Sequence, residues 1–304
     1  MDVLARANAL EAAGRRVVHM EIGEPDFSAA PQVVEAAVRA LRDGRTAYTA
    51  TLGLPALREA IAAHYGSCFS KKLTPDRIAI TSGASGGLLL TLALYVNPGD
   101  EIYQGLVYGM KPGAEAPATA LGLPGEVVIV NSFSKYFCMT GWRLGWVVLP
   151  RARMREFEKL AQHLFICAPA ISQHAALACF TPATLKVLEG RRREFQRRRD
   201  FLIPALERAG LAVPARPSDA FYVYADCGLA GRHQVPLSGK RFAFDLLEQA
   251  GVAATPGIDF GANGTQRYMR FAYTRSMADL EEAARRVKKF CSGKVRPPRR
   301  AGSA

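Results

Sequence analysis

Short apolar runs alternate with longer helical patterns along this 304-residue chain, and this alternation constrains the fold more than any other feature. Residues 76–80 are typical of a strand, and Gly83 ends it. A helical pattern follows over residues 84–96. Residues 127–130 form a second apolar run, and Lys135 follows it closely. This order predicts an open α/β sheet, and such sheets hold ligands where their strands end. The loop around Lys135 is therefore a candidate site.

The residues around Lys135 suit an amine that acts as a nucleophile. An amine must lose its proton to do so, and a nearby cation together with partial burial favours the neutral form. Arg143 can supply that cation. The hydroxyls of Ser132 and Ser134, with the Arg143 guanidinium, also offer donors suited to a phosphate. Taken alone, the pattern leaves open that Lys135 is an ordinary solvated surface residue.

The lysine segment resembles a motif of the class I/II aminotransferases, fold type I enzymes that depend on pyridoxal phosphate. The resemblance rests on SFSK at residues 132–135 and TGWRLGW at residues 140–146. Five other segments match the family in the same order along the chain, which is not expected by chance. They are IGEPDF (22–27), YT (48–49) followed by GLPALR (53–58), TSGAS (81–85), DEIY (100–103) and RFA (270–272).

This resemblance implies a fold, a cofactor and a reaction. The fold is α/β, with a three-layer α/β/α large domain around a mainly parallel sheet and a smaller α/β domain. The reaction is amino transfer between an L-amino acid and a 2-oxo acid. Lys135 would form a Schiff base with pyridoxal 5'-phosphate and then move the proton at the substrate's α-carbon. The resemblance also implies a homodimer, because Tyr48 matches a tyrosine that reaches the phosphate bound by the neighbouring subunit.

The other site residues follow from their positions in the family's motifs. Asp100 would pair with the pyridine nitrogen and keep it protonated, Tyr103 would bind the phenolic oxygen, and Arg270 would clamp the substrate's α-carboxylate. Each has a structural alternative: a turn for Asp100, a core ring for Tyr103 and Tyr48, and a surface strand position for Arg270. The expected phosphate ligands are Gly83, Ala84, Ser85, Ser132, Ser134, Arg143 and Tyr48, and the expected substrate ligands are Gly23 and Arg270.

The chain is shorter than the family pattern requires. The turn at residues 97–100 runs directly into DEIY, whereas in the family several strand and helix units separate the two. About three βαβ units, at roughly 30 residues each, are missing. We therefore expect an internal deletion around residues 97–101 and a truncated N-terminus. Residues 92–96 or residues 102–108 are candidates to replace a lost strand of the shortened sheet.

The same resemblance gives a domain prediction. The large cofactor-binding domain, incomplete because of the deletion, is expected over residues 29–180. The small domain is expected to combine residues 1–28 with residues 181–293. Residues 294–304 are basic and rich in proline, which is typical of a disordered tail.

Composition limits location and partners. Six cysteines without metal-ligand spacing favour reduced thiols in a cytoplasmic protein, and no metal site is predicted. The longest apolar stretch, residues 88–96, is far shorter than the roughly 20 residues of a membrane helix. No secretion signal is visible. The net charge of +13 includes a basic run over residues 191–199. We interpret it as a solvated helix face rather than a nucleic-acid site, because it contains Glu194 and is followed directly by Asp200.

Two alternatives to an active aminotransferase stay open. A fold type I scaffold also hosts pyridoxal-phosphate-dependent lyases and acyltransferases, since a fold does not determine a reaction. The shortened chain is also compatible with a catalytically impaired or regulatory aminotransferase-like protein.

Overall fold

The structure is a computed structural model, and the residues that it describes are 2–94, 99–100, 103, 106–108, 119–123, 126–227, 238–261 and 263–293. The chain divides into two compact units. The large unit is Phe27–Arg192, and the small unit combines Met1–Asp26 with Arg193–Ala304. The predicted disordered tail, residues 294–304, lies outside the described residues.

The helices of the described residues begin where the sequence offers a favourable first turn. Pro31 and Pro55 each occupy the first position of a helix. The backbone N–H that proline lacks would have no hydrogen-bond partner within the helix at this position. Ser276 caps another helix by accepting a hydrogen bond from the Asp279 amide at 3.2 Å. None of these helices is both long and apolar enough to cross a membrane. In chain order they are α1 (Asp2–Ala12), α2 (Pro31–Arg42), α3 (Pro55–Phe69), α4 (Gly83–Leu94), α5 (Met154–Phe165), α6 (Ala170–Ala176), α7 (Pro182–Glu207), α8 (Gly239–Ala250) and α9 (Met277–Cys291).

The strands of the described residues are short and form three sheets. The large unit holds one sheet of four strands, and the small unit holds one of three strands and one of two. In chain order they are β1 (Val18–His19), β2 (Ile78–Thr81), β3 (Gly99–Asp100), β4 (Ile129–Ser132), β5 (Gly145–Val148), β6 (Tyr222–Asp226), β7 (Val252–Ala253), β8 (Thr255–Pro256) and β9 (Tyr268–Ala272).

The sheet of the large unit has the order β2-β5-β4-β3. Strand β5 runs antiparallel to both β2 and β4, and β3 runs parallel to β4. Three of the four strands therefore share one direction, as expected for a mainly parallel sheet.

Both faces of this sheet are covered, which gives three layers. Successive strand residues point to opposite faces. On one face, Ile80, Ile129 and Trp146 pack in a core with residues of α2, α3 and α6. On the other face, Val130 and Val147 pack with residues of α4 and α5. The predicted α/β class, with helices on both sides of the sheet, is confirmed.

In the small unit, β6 and β8 flank β9 in an antiparallel sheet, while β1 and β7 pair in parallel. Val223 and Ala225 of β6 are buried, and the alternating residues Tyr222 and Tyr224 are only half-buried. One face of this sheet therefore belongs to the core, and the other presents aromatic side chains.

The strand at the edge of the shortened sheet is neither of the two segments that the sequence suggested, residues 92–96 and residues 102–108. Helix α4 continues to Leu94, so residues 92–94 are helical rather than extended. Tyr103 and residues 106–108 lie in no strand, and the remaining positions of both candidate segments lie outside the described residues. Instead β3 pairs with β4, with Gly99 opposite Ile129. The chain therefore re-enters the sheet at the end of the turn, and Asp100 of β3 is also the first residue of DEIY.

The basic run on α7 is less solvated than predicted. The Arg198 side chain is only 5% exposed and lies 2.8 Å from the Asp26 carboxylate. Its guanidinium also donates to the Thr274 carbonyl oxygen at 2.9 Å, and its Nε lies 2.9 Å from Glu194. A buried guanidinium must have such partners, because leaving its charge unpaired would cost several kcal/mol. The charge of Arg198 is therefore paired inside the small unit rather than presented to solvent.

We expect the large unit to lose stability in acid because of His64 on α3. The imidazole packs against the rings of Phe69, Phe137 and Phe180, and burial lowers its pKa from 6.5 to about 4. Above pH 6.5, His64 is neutral in both the folded and the unfolded chain. Below pH 6.5 the unfolded chain binds a proton that the folded chain excludes, so the free energy of unfolding falls by up to about 3 kcal/mol as pH approaches 4.

Urea unfolding at several pH values measures this effect. His64→Gln should depend less on pH than the native chain between pH 6.5 and 4. The control is His163→Gln, at an exposed position of the same unit. Parallel pH profiles for His64→Gln and the native chain would contradict the prediction.

Candidate functional site

The strand register brings the predicted cofactor-binding loops to one edge of the large unit's sheet. Gly145, the first residue of β5, pairs with Thr81 at the end of β2 and with Ser132 at the end of β4. The chain that leaves β2 enters the turn at Gly83, and the chain that leaves β4 reaches Lys135 three residues later. Both loops therefore start side by side, at the carboxyl ends of strands that share one direction.

The Lys135 loop is supported by buried aromatic side chains. Phe133 and Phe137 are 0% and 3% exposed, whereas Lys135 between them is half-buried. The Phe133 ring lies 5.0 Å from the Trp146 ring, centroid to centroid. The Phe133 carbonyl also accepts the Met139 amide at 3.1 Å. This support limits the positions that the Lys135 backbone can take, as a catalytic side chain requires.

The two predicted serine ligands are both buried, Ser132 as the last residue of β4 and Ser134 in the loop that follows. The Ser132 hydroxyl oxygen accepts the Ser134 amide at 3.0 Å, and its hydroxyl lies 3.4 Å from the Leu144 carbonyl oxygen. The Asn131 side chain accepts the Ser132 amide at 2.7 Å. Ser132 therefore shapes the loop, a role that the sequence did not reveal.

Arg143 lies against the N-terminus of α4. One amino group of its guanidinium would be only 2.6 Å from a Cβ atom added to Gly83, the first residue of the helix. The other donates to the Thr140 carbonyl oxygen at 2.8 Å. No carboxylate forms an ion pair with Arg143 among the residues described. A helix N-terminus carries partial positive charge, and Arg143 is exposed, so the two together form a place where an anion from solution can bind.

Gly145 allows this close assembly, although its role could not be seen in the sequence. A Cβ atom at Gly145 would lie 2.7 Å from the Ala84 nitrogen and 2.7 Å from the Asn131 oxygen. It would also lie 2.8 Å from the Gly83 carbonyl carbon. All three atoms are backbone, so β5 can approach both loops only without a side chain here.

The loop that carries Tyr48 is attached to the same sheet. The buried Gln173 side chain donates to the Thr49 hydroxyl at 2.9 Å and accepts the Leu54 amide at 2.8 Å. The Ile80 amide of β2 donates to the Leu52 carbonyl at 3.0 Å. Tyr48 itself is 79% exposed, so it is not the core ring that was the alternative. Gln173 is a supporting residue that sequence analysis did not identify.

For Asp100 the structure describes the backbone, and for Tyr103 it describes a single residue between segments that it does not describe. The backbone of Asp100 pairs with Val130 in the register between β3 and β4, two residues before Ser132. Asp100 therefore lies in a strand adjacent to the one that leads to Lys135, and its side chain lies outside the described part of the structure. Tyr103 is half-buried in a turn.

The predicted substrate ligands Gly23 and Arg270 belong to the small unit. Gly23 lies so close to Tyr222 that a Cβ atom at residue 23 would overlap the tyrosine hydroxyl. Arg270 lies on β9 and donates to the Glu21 carbonyl oxygen at 3.0 Å. Its side chain is half-buried, which argues against the alternative of a solvated surface residue.

A cavity of about 560 Å³ lies elsewhere in the large unit. Its lining includes Arg77, which precedes β2, Val127, which precedes β4, and Pro150, which follows β5. These positions mark the end of the sheet opposite to Lys135. The cavity is therefore separate from the candidate site.

The family model for aminotransferase class I and II matches this chain in two segments, residues 15–103 and residues 99–287. The segments meet at residues 99–103, where the sequence predicted an internal deletion. The alignment with one relative, described below, covers 363 positions, more than the 304 residues present here. Relatives therefore contain residues without a counterpart in this chain, and the predicted shortening is confirmed.

Individual relatives cover nearly the whole chain. The (5-formylfuran-3-yl)methyl phosphate transaminase of Methanocaldococcus jannaschii is 31% identical, with 95% of each chain covered. The valine–pyruvate aminotransferase of Mycobacterium tuberculosis is 29% identical, with 94% of each covered. A crystal structure from Methanococcus jannaschii, described as similar in its active site to kynurenine aminotransferases, has a TM-score of 0.87 at 30% identity and 96% coverage of both chains. This chain thus belongs to the aminotransferase class I and II family and is a pyridoxal-phosphate-dependent aminotransferase of fold type I.

Proposed function

We propose that this protein is a cytoplasmic, homodimeric enzyme of amino-acid metabolism that moves an amino group between an L-amino acid and a 2-oxo acid at Lys135. The observation that carries the proposal is the contact between Arg143 and Gly83. Two positive features, a guanidinium and a helix N-terminus, lie together without a carboxylate among the described residues. Such a pair favours an anion, and Lys135 leaves the sheet at the same edge.

The residues at this edge fit the phosphate group of pyridoxal phosphate. Arg143 would bind it with the charged fork of its guanidinium, and the amides of Gly83, Ala84 and Ser85 would donate from the first turn of α4. Ser132 and Ser134 would hold the loop that faces it. When bound, the cofactor supplies an electron sink for the substrate's α-carbon. The protein supplies the positions and the charges.

Lys135 would both anchor the cofactor and move the proton at the substrate's α-carbon. Its half-buried position between the buried residues Phe133 and Phe137 suits this role, because a proton donor or acceptor must be held within hydrogen-bond distance of the reacting atom. We further propose that Asp100 binds the ring nitrogen and that Tyr103 binds the phenolic oxygen. The pairing of β3 with β4 supports the role of Asp100, since it keeps this residue in the strand next to the lysine strand.

Substrate and assembly are proposed on separate observations. Arg270 would bind the substrate's α-carboxylate, beside Gly23 in the IGEPDF segment. The 79% exposure of Tyr48 supports a contact with a second subunit, because a tyrosine of this exposure has little packing within its own chain. All six cysteines are free thiols, which supports a reducing compartment.

A half-reaction experiment tests the proposed chemistry. Purified protein is loaded with pyridoxal phosphate and mixed with single L-amino acids, and the 2-oxo acid product and the amino form of the cofactor are measured. We expect stoichiometric conversion with at least one amino acid, reversed by a 2-oxo acid. Release of ammonia, carbon dioxide or an aldehyde without the amino form of the cofactor would indicate a lyase instead. A protein that binds the cofactor but converts no amino acid would indicate the impaired or regulatory relative.

A further inference from the structure

The Arg270 guanidinium is held by aromatic rings rather than by a carboxylate. Its Cζ atom lies 4.2 Å from the centroid of the Tyr222 ring and 4.4 Å from the centroid of the Phe260 ring. Both distances are within the range of favourable cation–π contacts. No ion pair involves Arg270 among the described residues, and its buried Nε has no hydrogen-bond partner there.

The two rings come from different elements of the small unit. Tyr222 lies on β6, and the register pairs Tyr224 with Arg270 on the adjacent β9, so Tyr222 and Arg270 are diagonal neighbours on one face of the sheet. Phe260 ends a short 3₁₀ helix, Gly257–Phe260, that follows β8. Phe260 is 48% exposed, so its side chain covers Arg270 from the solvent side without belonging to the core.

Aromatic contacts hold a cation without neutralising it. A carboxylate partner would occupy the guanidinium N–H groups and cancel the charge, whereas a ring face attracts the charge and takes no full hydrogen bond. Among the described residues, one amino group of Arg270 has partners within hydrogen-bond distance: the Glu21 carbonyl at 3.0 Å and, more weakly, the Thr255 hydroxyl at 3.5 Å. The guanidinium therefore keeps both its charge and donors for an incoming carboxylate.

We propose that Phe260 and Tyr222 are positioning residues that fix the Arg270 guanidinium for the substrate's carboxylate. The inference rests on the proposed role of Arg270 and adds the two residues that hold its guanidinium in place. Phe260 contributes only its ring. Tyr222 contributes its ring and also fills the space beside Gly23, so any side chain at residue 23 would displace it.

The test compares two ligands of the pyridoxal-phosphate-loaded protein by calorimetry. The first is 2-methylalanine, which has a carboxylate, a small side chain and no α-proton to lose. The second is its carboxamide, which lacks the charge. Phe260→Leu should raise the dissociation constant of 2-methylalanine about 2- to 30-fold, the equivalent of one cation–π contact, and leave that of the carboxamide unchanged. With a reacting amino acid, KM should rise and kcat should change little.

Conservative variants show whether the ring is what matters. Phe260→Tyr and Tyr222→Phe keep the rings and should bind 2-methylalanine as the native protein does, whereas Tyr222→Leu should weaken binding as Phe260→Leu does. Equal binding by Phe260→Leu and the native protein, or equal weakening of both ligands, would overturn the inference. Arg270→Ala distinguishes failure of the proposed role of Arg270 from failure of the proposed role of the rings. If it leaves 2-methylalanine binding unchanged, the proposed role of Arg270 itself fails, whereas weakening by Arg270→Ala alone refutes only the positioning by the rings.

Discussion

Lys135→Ala should abolish amino transfer while leaving the fold intact. The loop is supported by the buried rings of Phe133 and Phe137, which the substitution leaves in place. Loss of the group that moves the α-proton should lower kcat by at least about 10²- to 10⁴-fold. A measurement independent of activity is borohydride reduction of the loaded native protein followed by peptide mass analysis. The cofactor mass should be found on the peptide that contains Lys135.

Lys159→Ala is the matched control, because Lys159 is an exposed lysine on α5 of the same unit. It should keep full activity and the cofactor on the Lys135 peptide. The reduced cofactor on any other lysine of the native protein would refute the assignment. Unchanged activity in Lys135→Ala would refute it as well, since no other residue of the loop carries an amine.

The sequence could predict the parts of the fold that depend on local pattern. The apolar run before Lys135 continues as a strand to Ser132, and the helical spacing after Pro31 and Pro55 corresponds to α2 and α3. Hydrophobic periodicity and proline position act within a few residues, so a reader of the sequence can evaluate them. The family resemblance then supplied what periodicity could not: the cofactor, the reaction and the order of the site residues.

The sequence could not predict features that depend on which segments meet. Gln173 attaches the Tyr48 loop to α6, a contact between residues more than a hundred positions apart. Arg198 looked like part of a solvated stripe, yet its partner Asp26 lies far away in the chain. The entry of Gly99 and Asp100 into the sheet depends on the unpaired side of β4, which only the assembled sheet reveals. Local pattern contains no information about these pairings.

Gly145→Ala should impair both stability and cofactor binding, because residue 145 has no room for a side chain. Its Cα atom faces the start of α4 and the end of β4, so the methyl group of Gly145→Ala would meet three backbone atoms at 2.7 to 2.8 Å. Backbone atoms cannot swing aside as a flexible side chain can. Either α4 or β5 must shift, which separates Gly83 at the start of α4 from Arg143 in the lysine loop before β5. We expect the free energy of unfolding to fall by about 1–3 kcal/mol, the usual cost of overpacking.

Catalysis should suffer as well, because a displacement of about 1 Å in a catalytic site can lower the rate about 10²-fold. The pyridoxal phosphate dissociation constant should rise as well, since the amides of α4 and the Arg143 guanidinium would no longer converge. Gly141→Ala is the control in the same TGWRLGW segment, because a Cβ atom there meets nothing within 4 Å. Urea unfolding and cofactor titration of both variants give the comparison. If the two variants bind the cofactor equally well, the close approach at Gly145 does not hold the two halves of the phosphate site together.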